Sequence, residues 1–305
     1  MGSVINETQN KAGGSKTGGN VLELGYYPGC TVHSTGIEYT LSLKEVFKKL
    51  GISLVEISGW NCCGGAAAHS LSRLLGLVLP ARNVQKAQEC GLPLAVPCPA
   101  CFNAIKRAQH ALSSGSRMKE TLENTIGFKY SEDLVVKTTH QVILDYIGLK
   151  KLKSFVKRPL SGLKVVSYYG CLMVRAPEIV KMGDYENPVF LDNIVEALGA
   201  QPLDWSYKID CCGADLGMTH GRMAKDITDR ITGMALEAGA DVLMTGCGLC
   251  QINLDMRQSR RAHKGIPVLY MTELMGTAMG LPGRNKWWSK HVIDPVPVLG
   301  SLDLI

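Results

Sequence analysis

Short apolar runs alternate with longer amphipathic stretches along most of the chain. The runs at 21–27, 53–57 and 92–96 have the length and apolar content of β-strands, and residues 38–50 and 66–89 space their apolar positions as helices do. Strands that alternate with helices are typical of βαβ units. The pattern predicts an α/β fold with a short, mostly parallel sheet.

The second half of the chain repeats this order. Its predicted strands and helices are, in sequence, 164–169, 188–198, 202–205, 222–238, 242–245, 267–270 and 273–279. The order of strands and helices matches that of the first half, so we expect two homologous α/β domains related by internal duplication.

Three segments differ in residue composition from the rest of the chain. Residues 1–20 are rich in Gly, Asn, Lys, Ser and Thr, which predicts a mobile tail. The segment from about 115 to 160 is charged and less regular, and we interpret it as a helical connector. The segment after Leu281 contains two tryptophans and three prolines, which suggests an extended tail that docks on a partner. The predicted division is therefore a tail at 1–20, a first domain with the connector at 21–150, a second domain at 151–280 and an extended tail at 281–305.

The composition indicates a globular protein. Of the 305 residues, 46% are hydrophobic and 20% are charged, which is an ordinary balance for two domains. No apolar run is long enough to span a bilayer, and a signal-peptide pattern is missing from the N-terminus, so we expect a cytoplasmic protein without a membrane span. A net charge of +6 is compatible with an anionic ligand or an acidic partner, and we expect no nucleic-acid partner.

Eleven cysteines stand out in a chain expected in a reducing compartment, where such patterns indicate metal binding or catalysis. Ten of them form one motif twice, and 34 residues separate the Cys-Cys pair from the C-x2-C pair in both copies. The motif cysteines are Cys30, Cys62, Cys63, Cys98 and Cys101 in the first half and Cys171, Cys211, Cys212, Cys247 and Cys250 in the second.

Each motif cysteine follows a predicted strand or lies where a strand leads into a helix. Because the carboxyl ends of parallel strands meet at one edge of a sheet, the five cysteines of each half can converge there. A C-x2-C pair alone is compatible with zinc, an iron–sulfur cluster or a redox dithiol. Five thiols that include an adjacent pair fit a tetrahedral zinc site poorly, so we favour iron–sulfur clusters and keep two zinc sites as the alternative.

The arrangement C-x(n)-CCG-x(n)-CxxC, present twice, resembles the cysteine-rich CCG domain of the B-type subunit of heterodisulfide reductase and its bacterial relatives. The resemblance extends from about Val21 to Leu274. The local sequences at 26–33 and 60–64 resemble bacterial and sulfur-oxidiser homologues more than the methanogen protein. The resemblance implies that the five cysteines of each half are ligands of one noncubane [4Fe–4S] cluster.

The resemblance also implies a function. Two facing clusters would each supply one electron to a disulfide, a thiol or a protein-bound sulfur in a thiol–disulfide oxidoreductase. The partners would be a subunit with cubane iron–sulfur clusters and a flavin-binding subunit. Two alternatives remain: a relay that passes electrons to a separate catalytic or quinone-linked subunit, and a zinc scaffold.

Two histidines are candidate proton donors. His69 and His220 lie six and eight residues after their Cys-Cys pairs, although a histidine near a helix start is often only a satisfied polar group. The eleventh cysteine, Cys90, has no counterpart in the repeat and is interpreted as a bystander. A basic run is a candidate site for an anionic substrate arm or a solvated helix end: Arg257, Arg260, Arg261, His263 and Lys264.

Overall fold

The first half of the chain folds into a four-stranded parallel sheet. The computed structural model describes residues 21–115, 117–258 and 265–305, so the predicted tail at 1–20 lies outside the described residues. The strand order is β2-β1-β3-β4, with β1 at the centre of the first three. The strands are β1 (Leu22–Tyr26), β2 (Ile52–Glu56), β3 (Leu94–Val96) and β4 (Val136–Thr138). The helices are α1 (Cys30–His33), α2 (Ile37–Lys49), α3 (Gly65–Leu71), α4 (Leu75–Cys90), α5 (Pro99–Ser113) and α6 (Arg117–Ile126).

The second half forms a sheet of the same order, β6-β5-β7-β8, again with parallel pairing throughout. Its strands are β5 (Lys164–Tyr168), β6 (Gln201–Leu203), β7 (Val242–Thr245) and β8 (Val268–Tyr270). The linking helices are α7 (Thr139–Val142), a π-helix (Ile143–Ile147) and α8 (Leu149–Ser154). The remaining helices are α9 (Cys171–Val174), α10 (Pro177–Val180), α11 (Phe190–Ala197), a 3-10 helix (Ala214–Leu216), α12 (Gly221–Glu237), α13 (Gly248–Met256), α14 (Met271–Ala278), α15 (Arg284–Trp288) and α16 (Val296–Ser301). The predicted duplicated α/β fold is confirmed.

The central strands are short and buried on both faces. Every residue of β3 and of β7 is buried, as expected for parallel strands covered by helices on both sides. The sequence limits predicted for β7 are those observed, because an uninterrupted run of four apolar or β-branched residues between turn signals favours no other structure.

The predicted single helix at 66–89 is two helices in the structure. Helix α3 ends at Leu71 because Ser72 adopts an extended conformation, and α4 begins at Leu75. The His69 ring then lies against Gly76, where a Cβ atom would come within 2.5 Å of His69 Nδ1. The break lets the imidazole fold back over the start of α4.

The predicted helical connector contains a strand. Strand β4 pairs in parallel with β3 and completes the first sheet. Thr138 at its end also caps α7, since its side chain accepts a hydrogen bond from the Gln141 backbone N–H. The apolar run that leads into the strand is only three residues long (134–136) and lies in a charged segment, so the sequence pattern missed it.

The predicted extended tail after residue 280 is wrong. The segment forms α15 and α16, and the Trp287 and Trp288 side chains are buried. Trp287 packs so closely on α14 that a Cβ atom at Gly276 would lie 2.5 Å from its ring. An extended tail would expose both indoles, and burying them stabilises the helical arrangement.

The two halves pack through the helices that carry their cysteines. Helix α5 packs on α9, and α13 packs on α1. Asn103 of α5 donates a hydrogen bond to the Leu172 carbonyl at 3.2 Å, and a Cβ atom at Gly248 would lie 3.0 Å from Val32. The cysteine-bearing edges of the two sheets therefore face each other. Across the described ranges, no helix has the length and apolar character needed to cross a bilayer.

Candidate metal centres

The two halves place their cysteines at equivalent positions. The first cysteine of each motif begins a short helix directly after the central strand, and the Cys-Cys pair lies in the loop after the neighbouring strand. Cys98 and Cys247 are the N-cap residues of α5 and α13, and Cys101 and Cys250 lie in the first turns of those helices. The carboxyl edges of both sheets therefore gather the motif cysteines, as the sequence predicts.

The first five thiols form close contacts. The Sγ atoms of Cys30 and Cys62 are 3.5 Å apart, and those of Cys63 and Cys101 are 3.4 Å apart. Cys98 completes the set, since its thiol interacts with that of Cys101 and each affects the pKa of the other. Cys30 and Cys62 are exposed, whereas the other three are buried. The set thus has an inner side in the protein and an outer side open to solvent.

The second five thiols repeat this geometry. The Sγ atoms of Cys212 and Cys250 are 3.5 Å apart, and the thiol pairs Cys171–Cys211 and Cys247–Cys250 affect each other's pKa. Cys211 is exposed and the last three cysteines of the motif are buried. All ten predicted residues are therefore brought together in two sets.

The two sets meet at their buried ends. The side chains of Cys98 and Cys247 interact across the boundary between the halves, and each affects the pKa of the other thiol. The hydroxyl of Tyr39 lies 3.3 Å from the carbonyl oxygen of Pro97 and 3.2 Å from that of Gly246, the residues that precede these two cysteines. One buried phenol thus joins the backbones of both sets.

Several thiols are held in an environment that favours the thiolate. Hydrogen bonds from the Cys101 and Cys62 thiols lower the pKa of Cys63 to about 4. A hydrogen bond from Cys171, with the Gly213 N–H in support, lowers the pKa of Cys211 to about 6. Because the thiolate is the form that binds metals, each set includes at least one thiol prepared for ligation.

Glycines bring the backbone close to the sulfur atoms at matching positions. A Cβ atom at Gly29 would lie 3.0 Å from Cys101 Sγ, and one at Gly170 would lie 3.1 Å from Cys250 Sγ. Gly64 directs its N–H toward Cys62 Sγ at 3.4 Å from a left-handed conformation with φ 85°. Backbone N–H groups that point at sulfur are the donors that tune iron–sulfur clusters.

The donor set suits a polynuclear cluster better than a single ion. A structural zinc site takes four ligands in a tetrahedron. Five thiols per half, gathered at the sheet edge, match the all-thiolate ligation of iron–sulfur clusters.

We expect Gly64→Ala to lower the free energy of unfolding by at least about 2 kcal/mol, since a left-handed alanine is strained. The new Cβ atom would also lie 2.6 Å from that of Ala68 and 3.0 Å from Leu79. Urea denaturation of the purified variant measures the loss. Gly91→Ala is the matched control, because Gly91 has φ 70° but no atom within 4 Å of its would-be Cβ. Equal losses in the two variants would contradict a packing role for Gly64.

The two candidate histidines lie near their motifs but have other contacts. His69 packs on Gly76, and burial with a contribution from Arg107 lowers its pKa. His220 is exposed before α12, with Nδ1 3.0 Å from Thr219 Oγ1. Within the part of the chain that the structure describes, neither is hydrogen-bonded to a cysteine sulfur. Their role as proton donors stays a prediction.

Cys90 and Arg257, two further candidates from the sequence, make contacts outside the two cysteine sets. The Cys90 thiol lies beside Gly25 of β1, because a Cβ atom built at Gly25 would be 3.6 Å from Cys90 Sγ. Cys90 therefore belongs to the packing of α4 on the sheet. Arg257 donates a hydrogen bond to the Gly217 carbonyl at 3.0 Å. The rest of the basic run lies outside the described residues: Arg260, Arg261, His263 and Lys264.

Sequence reasoning missed Asp215, which lies between the two sets. It lines the crevice of the second set, and burial together with the thiolates of Cys98 and Cys63 raises its pKa. Asp215 is exposed, and its carboxyl group lines the crevice of the second set while lying within electrostatic reach of thiols of the first. The repeat contained a signal, because Asp215 occupies the position that Ala66 has in the first motif.

Comparison with known proteins agrees with this geometry. Residues 24–106 and 165–255 each match the cysteine-rich domain family CCG. The chain is 32% identical over 280 residues to the 8-methylmenaquinol:fumarate reductase membrane anchor subunit of Wolinella succinogenes, covering 89% of this chain and 97% of that protein. It is 30% identical over 293 residues to the B-type subunit of the ferredoxin/F(420)H(2)-dependent CoB-CoM heterodisulfide reductase of Methanosarcina acetivorans, covering 92% and 97%.

A solved structure shares the fold. A hypothetical protein from Helicobacter pylori superposes with a TM-score of 0.67 at 13% identity over 88% of this chain, which spans about half (51%) of that protein's length. The family model matches both halves of the chain, and the relatives align over about nine-tenths of it. The chain belongs to the cysteine-rich CCG domain family, and its relatives include the B-type subunit of heterodisulfide reductase.

Proposed function

We propose that this chain is the iron–sulfur subunit of a heterodisulfide reductase-like complex that carries out two-electron thiol–disulfide chemistry. The observation that carries the proposal is the meeting of two complete five-thiol sets at Cys98 and Cys247. Reducing a disulfide takes two electrons, and two adjacent centres can each supply one. An electron relay would need only one cluster, so the presence of two complete sets favours disulfide chemistry.

Each five-thiol set would hold one noncubane [4Fe–4S] cluster. When bound, the clusters would supply one-electron redox chemistry and an iron site for the substrate sulfur. The proposed ligands are Cys30, Cys62, Cys63, Cys98 and Cys101 for one cluster and Cys171, Cys211, Cys212, Cys247 and Cys250 for the other.

The chain's own residues would divide the remaining work. The exposed sides at Cys30, Cys62 and Cys211 would admit a disulfide, a thiol or a protein-bound sulfur. The buried ends would exclude water where the halves meet, and Tyr39 would keep the two backbones in register. His69 and His220 remain the proposed sources of protons for the product thiolates.

An electron relay is the second candidate, and one observation favours it. A relative at 32% identity is named as a subunit of an 8-methylmenaquinol:fumarate reductase. In that case the sulfur atoms that meet at Cys98 and Cys247 would pass single electrons between the centres toward a separate catalytic or quinone-linked subunit.

Several relatives are named as subunits of larger enzymes. We propose that this chain likewise works in a complex, with a subunit that carries cubane iron–sulfur clusters and a flavin-binding subunit as partners. We further propose a cytoplasmic location, since free thiols at this density persist in a reducing compartment.

Anaerobic purification followed by iron, sulfide and zinc analysis tests the proposal. About eight iron and eight sulfide per chain match two four-iron clusters. An EPR signal that appears when thiol is added to the oxidised protein would support disulfide chemistry, whereas full iron without a thiol response would favour the relay. Zinc without sulfide, after anaerobic reconstitution has also failed, would overturn both.

A further inference from the structure

Four ionisable side chains are buried together outside the cysteine centres. Glu38 of α2 and Asp255 of α13 are each 3% exposed, Glu273 of α14 is fully buried, and so is the side chain of His291 after α15. They come from three helices of both halves and from the segment after α15. Burying ionised groups is costly unless they are paired or bind protons, so this arrangement calls for a physical reason.

Hydrogen bonds organise the cluster around the imidazole. His291 Nε2 lies 2.9 Å from Glu273 Oε1, and His291 Nδ1 lies 3.9 Å from Asp255 Oδ2. Asp255 also accepts hydrogen bonds from the backbone N–H groups of Val292 at 2.7 Å and Ile293 at 3.0 Å. Two carboxyl groups contact the one histidine and Glu38 is buried as a third, so full ionisation would leave excess negative charge in the interior.

A chain of contacts connects this cluster to the cysteine centres. The side-chain amide of Gln251 lies 3.1 Å from His291 Nδ1, and the Tyr270 hydroxyl lies 3.2 Å from the same amide group. The Tyr270 ring stacks on that of Tyr39 with centroids 4.3 Å apart. Tyr39 in turn contacts the carbonyl oxygens that precede Cys98 and Cys247.

The electrostatics agree with this geometry. Burial, with Glu273 and Asp255 in support, raises the pKa of Glu38 to about 7. Burial alone would lower the pKa of His291, but Glu273, Asp255 and Glu38 raise it to about 9. Burial raises the pKa of Tyr270, and both the carboxylates and the Cys247 thiolate add to it. The carboxylates of the cluster and the Cys247 thiolate therefore both raise the pKa of Tyr270.

We propose that Glu38, Asp255, Glu273 and His291 form a buried proton-binding site that takes up one proton when an electron arrives at the cysteine centres. This inference rests on the proposed iron–sulfur function. The electron comes from an external one-electron donor, the proton comes from water, and no covalent bond forms between the site and sulfur. An added negative charge in a low-dielectric interior raises the proton affinity of nearby carboxylates, and the bound proton offsets that charge.

Glu38 is the residue proposed to exchange the proton, because it is 3% exposed and lies two residues after Gly36, where a Cβ atom would be 2.9 Å from the Tyr270 hydroxyl. The groups that face it are Glu273 from α14, Asp255 from α13, His291 from the C-terminal segment and Tyr270 from β8. The imidazolium stays charged below its pKa of about 9, so the total charge of the cluster depends on Glu38 over the physiological range.

EPR-monitored redox titrations of the full chain at a series of pH values test the proposal. The midpoint potential of the wild type should be constant below about pH 7 and fall above it, where reduction requires proton uptake. Glu38→Gln should make the potential independent of pH across this window. Glu120→Gln is the matched control, because Glu120 is exposed on α6, and it should behave as the wild type does.

A second variant and an iron-free measurement complete the test. His291→Gln removes the positive charge, so the fall in potential should begin at a higher pH. NMR of ¹³C-labelled glutamate in the iron-free chain should show the Glu38 carboxyl titrating near pH 7. An ordinary Glu38 pKa, or a pH-independent potential in wild type with full iron, overturns the inference and leaves the proposed function standing. A chain that takes up no iron and sulfide overturns both.

Discussion

Replacing Cys63 with serine is expected to lower the iron and acid-labile sulfide from about eight of each to about four of each per chain. Cys63 is 4% exposed, its Sγ lies 3.4 Å from Cys101 Sγ, and its pKa is held at about 4. A serine hydroxyl does not ionise near neutral pH and is a poor replacement for a thiolate ligand. Because the second set has its own five thiols, we expect its cluster to remain.

Cys212→Ser is the equivalent variant in the second set, and Cys90→Ser is the control for both. Cys212 has the same place in the second set, 3.5 Å from Cys250, so its loss should remove the other half of the iron. The Cys90 thiol lies beside Gly25 and should be dispensable for iron binding. Iron and sulfide are measured on anaerobically purified protein. Undiminished iron in both motif variants would refute ligation by the Cys-Cys pairs.

Trp287→Ala is expected to lower the free energy of unfolding by about 3–5 kcal/mol. The Trp287 side chain is fully buried and lies against Gly276 of α14, while α15 also packs on α2. Its indole N–H has no acceptor among the described residues, so apolar packing accounts for its contribution. The substitution would leave a large cavity between elements of both halves, and urea denaturation followed by circular dichroism measures the cost.

Val296→Ala tests whether the effect belongs to Trp287 rather than to the whole C-terminal segment. Val296 begins α16 in the same segment but is 40% exposed, so its truncation should cost less than about 0.5 kcal/mol. A Trp287→Ala loss as small as that of Val296→Ala would show that the segment is not packed in solution as the structure has it.

Sequence pattern located most strands and helices, and its failures have identifiable causes. Strand β7 was predicted with its observed limits because its residues form an unbroken apolar run between turn signals. Strand β4 was missed because the apolar run that leads into it is only three residues long and lies in a charged segment, and the strand gains its stability from pairing with β3. The helices at the C-terminus were missed because three prolines and few apolar repeats hide the burial of the indoles.

The residues of the candidate site also divide into those that the sequence identifies and those that only the folded structure places. The ten cysteines could be named from spacing, since each follows a strand and the carboxyl ends of parallel strands lie at one edge. Asp215 and Tyr39 could not be assigned, because nothing in their local sequence says which surface they face. Only the folded chain brings the Tyr39 hydroxyl to the carbonyl oxygens of Pro97 and Gly246, and Asp215 to the crevice of the second set.

The amino-acid sequence by itself determined the duplicated α/β fold, the cysteine motifs and the family, because these depend on local periodicity and spacing within each half. Tertiary structure alone decided that Cys98 meets Cys247, that Trp287 is buried, and that Glu38 joins residues of the second half. Tyr39 and Gly246 are 207 positions apart and touch only in the folded chain. Such contacts depend on how separate elements pack, which no pattern of neighbouring residues encodes.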